Sequence, residues 1–213
     1  MQASERSFVP AAGHDWLLPL YDPLWKLIGG DSFRRTMLER VDLQKGQRVL
    51  DIGCGTGSLA VAAQTLHPEA VINGLDPDPK ALARARRKAQ NAGTVVRFEQ
   101  GFSDQIPCSD GSFDVVLSSF MFHHLQPEEQ ERTLSEVLRV LAPGGALHLV
   151  DFGGSQSRKD GKLARLLHGH DHVHEDFVGA MAQLMQSAGF VAIVELDERR
   201  TLFGSVAHYR GSA

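Results

Sequence analysis

A glycine-rich loop directly after an apolar segment is the feature that most restricts the folds open to this chain. Residues 49–57 read Val-Leu-Asp-Ile-Gly-Cys-Gly-Thr-Gly, and a helix-compatible segment begins at Ser58. Glycine has no Cβ, so it allows a tight turn or the close approach of a ligand to the backbone. The loop also presents its amides at a helix N-terminus, which favours polar or anionic groups. The pattern predicts the ligand-binding crevice of a doubly wound α/β domain, at the carboxyl end of its first strand.

The spacing of these glycines separates two kinds of nucleotide-binding loop. The dinucleotide fingerprint reads G-x-G-x-x-G, and here it would need a glycine at position 58, where the chain has Ser58. The chain instead reads D-x-G-x-G-x-G from Asp51 to Gly57. The spacing therefore disfavours an NAD-dependent oxidoreductase, which we keep as an alternative.

Three later segments follow the loop in an order that has a known counterpart. Val71–Asp76 predicts a second strand ending in a carboxylate, placed to accept hydrogen bonds from both hydroxyls of a ribose. Phe113–Ser119 predicts a buried strand, and Leu141–Asp151 reads as a helix stop, a turn and another strand. With the glycine loop, this series over residues 43–151 resembles the class I S-adenosylmethionine (SAM)-dependent methyltransferases, particularly their ubiquinone- and menaquinone-biosynthesis branch.

Segments compatible with strands alternate with segments of helical periodicity along most of the chain. Such alternation favours a parallel sheet with right-handed crossovers. Only Asp197–Arg200 separates the last two strands, so we expect an antiparallel hairpin there. The predicted fold class is α/β, Rossmann-like and doubly wound, with a mostly parallel seven-stranded sheet and an antiparallel C-terminal hairpin. Strands are expected near 47–52, 70–76, 94–99, 113–118, 146–152, 190–196 and 201–209, and helices near 32–41, 57–66, 79–92, 127–141 and 174–188.

The resemblance implies two units and a set of residues that meet SAM. Residues 1–42 are expected to form an N-terminal helical lid, and residues 43–213 the SAM-binding methyltransferase domain. Asp51 is expected to anchor the amino group of SAM, and Asp76 its ribose hydroxyls. Phe102 stands where the family usually has an acid that contacts adenine, so we expect it to stack on the base while Ser103 or Asp104 makes the polar contact. The full set of expected cofactor-binding residues is Tyr21, Asp51, Gly53, Cys54, Gly55, Thr56, Gly57, Asp76, Pro77, Phe102, Ser103, Ser118 and Ser119.

The chemistry of methyl transfer decides which further residues are needed. The methyl group of SAM is already activated, so the protein mainly aligns the reactants. A base is required only when the acceptor must lose a proton. His123 and His124 directly follow the fourth predicted strand and are the candidate catalytic bases, since histidine titrates near neutral pH. The alternative is that they only pack or hydrogen-bond at a loop corner.

Aromatic and histidine-rich segments bear on the acceptor. Residues 120–122 and Phe152, with Trp16, Tyr21 and Trp25 as a lid, favour a small, partly apolar acceptor. In family terms, the lack of an Asn-Pro-Pro-aromatic tetrad disfavours nucleobase and amide amino groups. The histidine-rich segment His168–Asp176 could be a solvated lid, an acceptor-binding segment or a divalent metal site. No family motif demands a metal there, so we predict none.

The composition of the chain limits its partners, its cysteine chemistry and its location. A net charge of −4 disfavours nucleic acid as the main partner, and two cysteines make neither a disulfide framework nor a metal clip. The chain has no apolar run of membrane-spanning length and no signal-peptide pattern, so we expect a cytoplasmic protein with a small-molecule acceptor. The acceptor, its accepting atom and homodimer formation are left open by the sequence. A non-catalytic SAM-fold binding or assembly protein is the second alternative.

Overall fold

The computed structural model describes residues 30–152, 177–201 and 204–213, and in these residues five α-helices accompany seven strands. In chain order the elements are α1 (Gly30–Val41), β1 (Arg48–Ile52), α2 (Ser58–Leu66), β2 (Val71–Asp76), α3 (Pro79–Ala92), β3 (Arg97–Gln100), β4 (Phe113–Ser119), a 3₁₀ turn (Phe122–His124), α4 (Pro127–Val140), β5 (Leu141–Phe152), α5 (Phe177–Ala188), β6 (Val191–Thr201) and β7 (Gly204–Ser212).

The strands form one sheet in the order β3-β2-β1-β4-β5-β7-β6. Strand β1 is parallel to both neighbours, β2 and β4, whereas β7 is antiparallel to both β5 and β6. The chain winds outward from β1 to β3 and then returns to the other side of β1 with β4. The strand order therefore reverses between β1 and β4, and a ligand crevice is expected outside their carboxyl ends. The predicted fold class is confirmed.

Both faces of the sheet are covered, as parallel strands require. Alternate residues of β1 illustrate this, because Val49 packs in the core under α1, α2 and α3, while Leu50 packs in the core under α4 and α5. Helix α1 contributes the fully buried Met37 and Leu38 to the first of these cores. Within the described residues, no helix is both long and apolar enough to cross a membrane.

The predicted hairpin turn was placed wrongly. Asp197–Arg200 lie inside β6, where Asp197 pairs with His208 and Arg200 with Ser205, and β6 continues to Thr201. This charged run resembles a turn in sequence, but β6 has a partner on only one side, and charged residues are common on such edge strands. Smaller differences concern β3, which begins at Arg97, and β5, which begins at Leu141 and crosses an irregularity before pairing regularly from Ala146.

The close packing beneath the glycine loop can be tested at Gly57. Its φ is +73°, and an added Cβ would lie 2.7 Å from the Cβ of Ala85 and 2.8 Å from the Phe98 ring. Gly93 has a similar φ of +66° but no atom within 4 Å of such a Cβ. Gly93→Ala should therefore lower the free energy of unfolding by about 1–2 kcal/mol, through backbone strain alone. Gly57→Ala should lower it by about 3–5 kcal/mol, because overpacking adds to the strain. Equal losses in urea unfolding would contradict this account.

Candidate cofactor and acceptor site

Three left-handed glycines shape the loop between β1 and α2. Gly53, Gly55 and Gly57 have φ values of 63°, 51° and 73°, a region that side chains with a Cβ rarely adopt. A Cβ at Gly53 would also clash with the side chain of Met121, which follows β4. The amide of Cys54 donates to the carbonyl of Leu75 at 3.1 Å, fastening the loop to β2. The loop is thus held open at the carboxyl ends of β1, β2 and β4.

Asp76, the expected ribose acid, also holds this loop in place. Its Oδ2 accepts a hydrogen bond from the amide of Gly55 at 2.8 Å, and its Oδ1 accepts one from the amide of Asp78 at 2.9 Å. Burial raises the pKa of Asp76 to about 6, although these two amides oppose the shift. Each carboxylate oxygen has two lone pairs, so these bonds leave acceptor capacity for two ribose hydroxyls.

Buried oxygens without hydrogen-bond partners gather beside the loop. Among the described residues, neither carboxylate oxygen of Asp51, nor Oδ2 of Asp78, nor the hydroxyl of Ser118 has one. Ser118 pairs with Ile52, the residue after Asp51, so the Asp51 and Ser118 groups lie at adjacent strand ends. Buried polar groups are rarely left unsatisfied unless a ligand or solvent completes them. These atoms fit a ligand that carries hydrogen-bond donors and a positive charge, as SAM does.

Asp51 shows the electrostatic character of this end of the crevice. It is only 1% exposed, and burial raises the pKa of its carboxyl to about 8, with the nearby Asp76 carboxyl adding to the shift and the Ala60 backbone amide and, less strongly, Arg34 of α1 opposing it. A buried carboxylate is stabilised by a cation that reaches it directly. The ammonium group of SAM is such a cation, which supports the expected role of Asp51.

The other expected cofactor residues lie around the same edge of the sheet. Thr56 accepts a hydrogen bond from Lys88 of α3 at 3.0 Å. Burial raises the pKa of the Cys54 thiol, which disfavours a role of this cysteine as a nucleophile. The loop after β3 adjoins Asp76, since the Gly101 amide donates to the Asp76 carbonyl at 3.2 Å. Tyr21 lies outside the described residues. Phe102, Pro77 and Ser119 are half-buried.

Ser103 and Asp104, the expected polar contacts of the adenine, are both bonded to α4. The hydroxyl of Ser103 lies 3.0 Å from that of Thr133, and Oδ2 of Asp104 accepts a hydrogen bond from Nε of Arg132 at 3.1 Å. Helix α4 therefore holds the loop that follows β3 against the crevice. Neither contact was visible in sequence, because the paired residues are about 30 positions apart.

A histidine–aspartate pair lies at the carboxyl ends of β4 and β5. Nδ1 of His123 is 2.6 Å from Oδ1 of Asp151, a residue only 1% exposed. Asp151 is fixed in turn by the amides of Phe152, at 2.7 Å, and His123, at 3.3 Å. A carboxylate at Nδ1 makes that nitrogen the proton donor, so Nε2 keeps a lone pair that can accept a proton. The His124 ring lies 3.9 Å from that of His123, outside this pair.

Asp151 is the functional candidate that sequence analysis missed. It was recognised only as the end of a strand. An acid at the carboxyl end of β5, next to β4, could have been a signal, because neighbouring parallel strands deliver their ends to one edge. The partnership with His123 itself depends on the 3₁₀ turn, which brings the histidine back over β5.

An aromatic row, formed by Phe33, Phe120 and Phe152, adjoins this pair. Ring centroids are 5.9 Å apart for Phe33 and Phe120, 5.2 Å for Phe120 and Phe152, and 5.0 Å for Phe152 and His123. Phe122, by contrast, is fully buried and Met121 is 9% exposed, and both pack in the core, so their contribution to an acceptor pocket stays a prediction. Both face the core because the 3₁₀ turn folds them beneath the histidines.

The remaining expectations concern residues that the structure does not describe. Trp16, Tyr21, Trp25 and His168–Asp176 lie outside the described residues. Within the described residues, no three histidine, cysteine or acidic side chains are grouped so that they could hold a metal ion.

Burial of Asp51 predicts a pH dependence of stability. In the unfolded chain its carboxyl titrates near the ordinary value of 3.8, whereas the folded protein retains the proton up to about pH 8. The folded state therefore binds more protons in this range, and stability contributed by Asp51 is lost as pH rises, by up to about 1.4 kcal/mol per pH unit. Asp51→Asn removes this loss.

Urea unfolding of the ligand-free protein at pH 5, 6, 7 and 8 measures the effect. The stability of Asp51→Asn relative to wild type should increase steadily across the series. The same substitution at the exposed Asp42 should give no such slope. A flat difference for Asp51→Asn would show that its carboxyl does not hold a proton through this range.

Comparison with known proteins finds similarity to methyltransferases. A family model described as a methyltransferase domain matches residues 49–145. A demethylmenaquinone methyltransferase of Thermus thermophilus is 38% identical over 139 residues, covering 64% of this chain and 62% of the relative. One of Deinococcus radiodurans is 35% identical over 157 residues, covering 72% and 64%. The chain thus spans a little under two thirds of the length of these relatives.

A solved structure shows the same fold at lower identity. The YcgJ protein from Bacillus subtilis superposes with a TM-score of 0.70 at 20% identity, covering 84% of this chain and 97% of that one. The comparisons give no support to an NAD-dependent oxidoreductase or to a non-catalytic binding protein. The glycine loop, the strand order and these matches support a methyltransferase domain over residues 49–145 that is similar to the class I SAM-dependent methyltransferases, whose cofactor is S-adenosylmethionine.

Proposed function

We propose that this chain transfers a methyl group from SAM to a small, partly apolar acceptor that loses a proton, with His123 as the base. The single observation that carries this proposal is the 2.6 Å contact between His123 Nδ1 and the buried Asp151. A histidine that only filled a loop corner would not need a fully buried carboxylate fixed by two amides. The pair supplies both an oriented acceptor for a proton and a counter-charge for the imidazolium that results.

On the cofactor side, the crevice offers a partner for each part of SAM. Asp51 and Ser118 would receive the ammonium end, and Asp76 the ribose hydroxyls. The strand order, in which β3 lies beyond β2, supports a position for the adenine beyond Asp76, toward the loop after β3 that carries Phe102. The glycines at 53, 55 and 57 allow the backbone to come close to the ligand. These roles are inferred from buried acceptors and strand positions.

On the acceptor side, the proposed reaction moves one proton and one methyl group. The acceptor's proton passes to Nε2 of His123, and the acceptor atom attacks the methyl carbon as the S–CH₃ bond breaks. The bond's electron pair stays on sulfur, which gives neutral S-adenosylhomocysteine. Asp151 stabilises the imidazolium until the proton leaves to solvent. The protein's main contribution is alignment of the acceptor with the methyl group.

The acceptor class follows from the aromatic row and the relatives. Phe120 and Phe152 are partly buried apolar rings beside His123, and relatives named above act on demethylmenaquinone. Quinols and phenols combine a flat apolar ring with an ionisable hydroxyl, and they are our proposed acceptor class. The lid role of residues 1–42 and of His168–His174, a cytoplasmic location, independence from nucleic acid and the homodimer stay predictions.

A screen for S-adenosylhomocysteine release tests the reaction class. The purified chain is incubated with SAM and one member each of the quinols, phenols, amines and thiols. Release with a quinol or phenol above the acceptor-free rate is expected. Release with none of the four classes, although SAM binds in calorimetry, would contradict the proposed activity.

Three variants test the role of the His123–Asp151 pair, the dyad of the proposed mechanism. His123→Ala should lower kcat by about 10²-fold or more, because it removes the base. Asp151→Asn should also lower kcat, by roughly tenfold or more, because Nδ1 loses the acceptor that sets the tautomer. The matched control His124→Ala removes the adjacent imidazole and should keep most of the activity. SAM affinity measured by calorimetry should stay near wild type in all three. Full activity in both His123→Ala and Asp151→Asn would mean that the acceptor needs no base.

A further inference from the structure

We propose that Arg199, with Asp197 and Arg40, forms a clamp that positions α1 as the outer wall of the acceptor pocket. The proposal rests on the proposed function for the meaning of that pocket. Arg199 lies on the edge strand β6, far in sequence from α1 and from the dyad. It would act as a positioning residue, through Phe33, without touching cofactor or acceptor.

The clamp consists of several polar contacts between β6 and α1. Nε of Arg199 donates to Oδ2 of Asp197 at 2.9 Å, and its two terminal nitrogens donate to the hydroxyls of Thr36, at 3.1 Å, and Ser32, at 3.4 Å. The same Asp197 oxygen lies 3.6 Å from Arg40 of α1. The rigid fork of an arginine can hold several acceptors in one geometry, which a lysine cannot. The contacts therefore fix both the position and the rotation of the helix.

The two halves of α1 are held differently. Toward its C-terminus, Met37 and Leu38 are each 1% exposed and anchor the helix in the core. Toward its N-terminus, a small, partly open cavity lies between the helix and the sheet, bordered by Phe33, Thr36, Met37 and Arg199 among others. Close packing cannot fix the helix where a cavity lies beneath it. Phe33 is only partly buried against the core, and Arg199 contacts Ser32 and Thr36 on either side of it, so the clamp helps to set the position of Phe33.

Phe33 connects the clamp to the dyad through the aromatic row. The Arg199 guanidinium carbon lies 6.0 Å from the Phe33 ring centroid, and Phe33 meets Phe120 edge-on. Phe120 has a φ of +54°, which is strained for a phenylalanine and persists only when its surroundings hold it. Phe120 contacts Phe152, against which the His123 ring packs. A shift of Phe33 therefore changes the shape of the acceptor wall and the environment of the base.

The clamp should contribute little to global stability. The side chains of Arg199, Asp197 and Arg40 are 40%, 26% and 38% exposed, and exposed ion pairs contribute at most modestly. Its effect is geometric. This separates the proposal from a purely structural role, in which loss of Arg199 would weaken the whole fold.

The test compares Arg199→Met with Arg35→Met. Both remove an arginine of a charged pair, but Arg35 is 79% exposed on α1 and pairs only with Glu39 of the same helix among the contacts seen. Hydrogen exchange of residues 32–37 should become at least about tenfold faster in Arg199→Met, while the protection of β1, β2 and β4 is unchanged. The NMR signals of the His123 ring protons are identified by their absence in His123→Ala. In Arg199→Met their chemical shifts should move toward the values of the unfolded protein, because Phe152 moves away from the ring. Arg35→Met should show neither change.

S-adenosylhomocysteine serves as the binding probe and keeps this proposal distinct from the proposed function. Its dissociation constant should stay within about twofold of wild type in Arg199→Met, because among the described residues α1 acts on the cofactor side only through the small electrostatic effect of Arg34 on Asp51. Asp197→Asn is the second variant and should reproduce both the exchange and the spectral change. Unchanged exchange and unchanged His123 signals in Arg199→Met would overturn the clamp, and so would a loss of protection in every strand. Exchange and ring shifts need no turnover, so an inactive chain would refute the proposed function alone.

Discussion

The two amide hydrogen bonds accepted by Asp76 are the interaction on which the rest of the site depends. One comes from the middle of the glycine loop and the other from the start of α3, so a single carboxylate joins the ends of β1 and β2. Without it, three left-handed glycines at alternate positions would have little to hold them in one conformation, since glycine loses more backbone freedom on ordering than other residues. The crevice is therefore organised from its floor before any ligand enters.

The site concentrates unfavourable burial where binding occurs. Asp51, Asp76 and Asp78 are all buried within one edge of the sheet, and burial raises the pKa values of the first two. Such a cluster weakens the ligand-free protein, but it prepares acceptors that a cationic ligand with several donors can satisfy at once. His123 and Asp151 show the opposite arrangement, in which a buried acid already has its partners. On the cofactor side, buried carboxylate oxygens of Asp51 have no hydrogen-bond partner among the described residues, whereas on the acceptor side the carboxylate of Asp151 is already hydrogen-bonded.

What the sequence could predict depended on the range of the interactions. The glycine loop, Asp76 and the alternation of strands with helices are local signals. They predicted the ligand crevice at the carboxyl end of β1 and the candidate cofactor residues. The partnership of His123 with Asp151, the burial of Phe122 and the position of Arg199 arise from contacts between distant segments. The misplaced turn at Asp197–Arg200 has the same cause, because only the register against β7 shows that this charged run continues an edge strand. Roles of the cofactor residues stay predictions from pattern and geometry.

The position of β7 has a consequence for how the chain assembles. This strand is the last of the seven in sequence, yet it lies between β5 and β6. Until β7 is available, the largely buried β5 has an unpaired edge, and β6 has no strand beside it. An open edge of this kind can pair with another chain. Nascent copies are therefore most prone to aggregate between the synthesis of β5 and the insertion of β7. Because β7 must pair with strands made earlier, the sheet closes through non-local contacts, which form slowly.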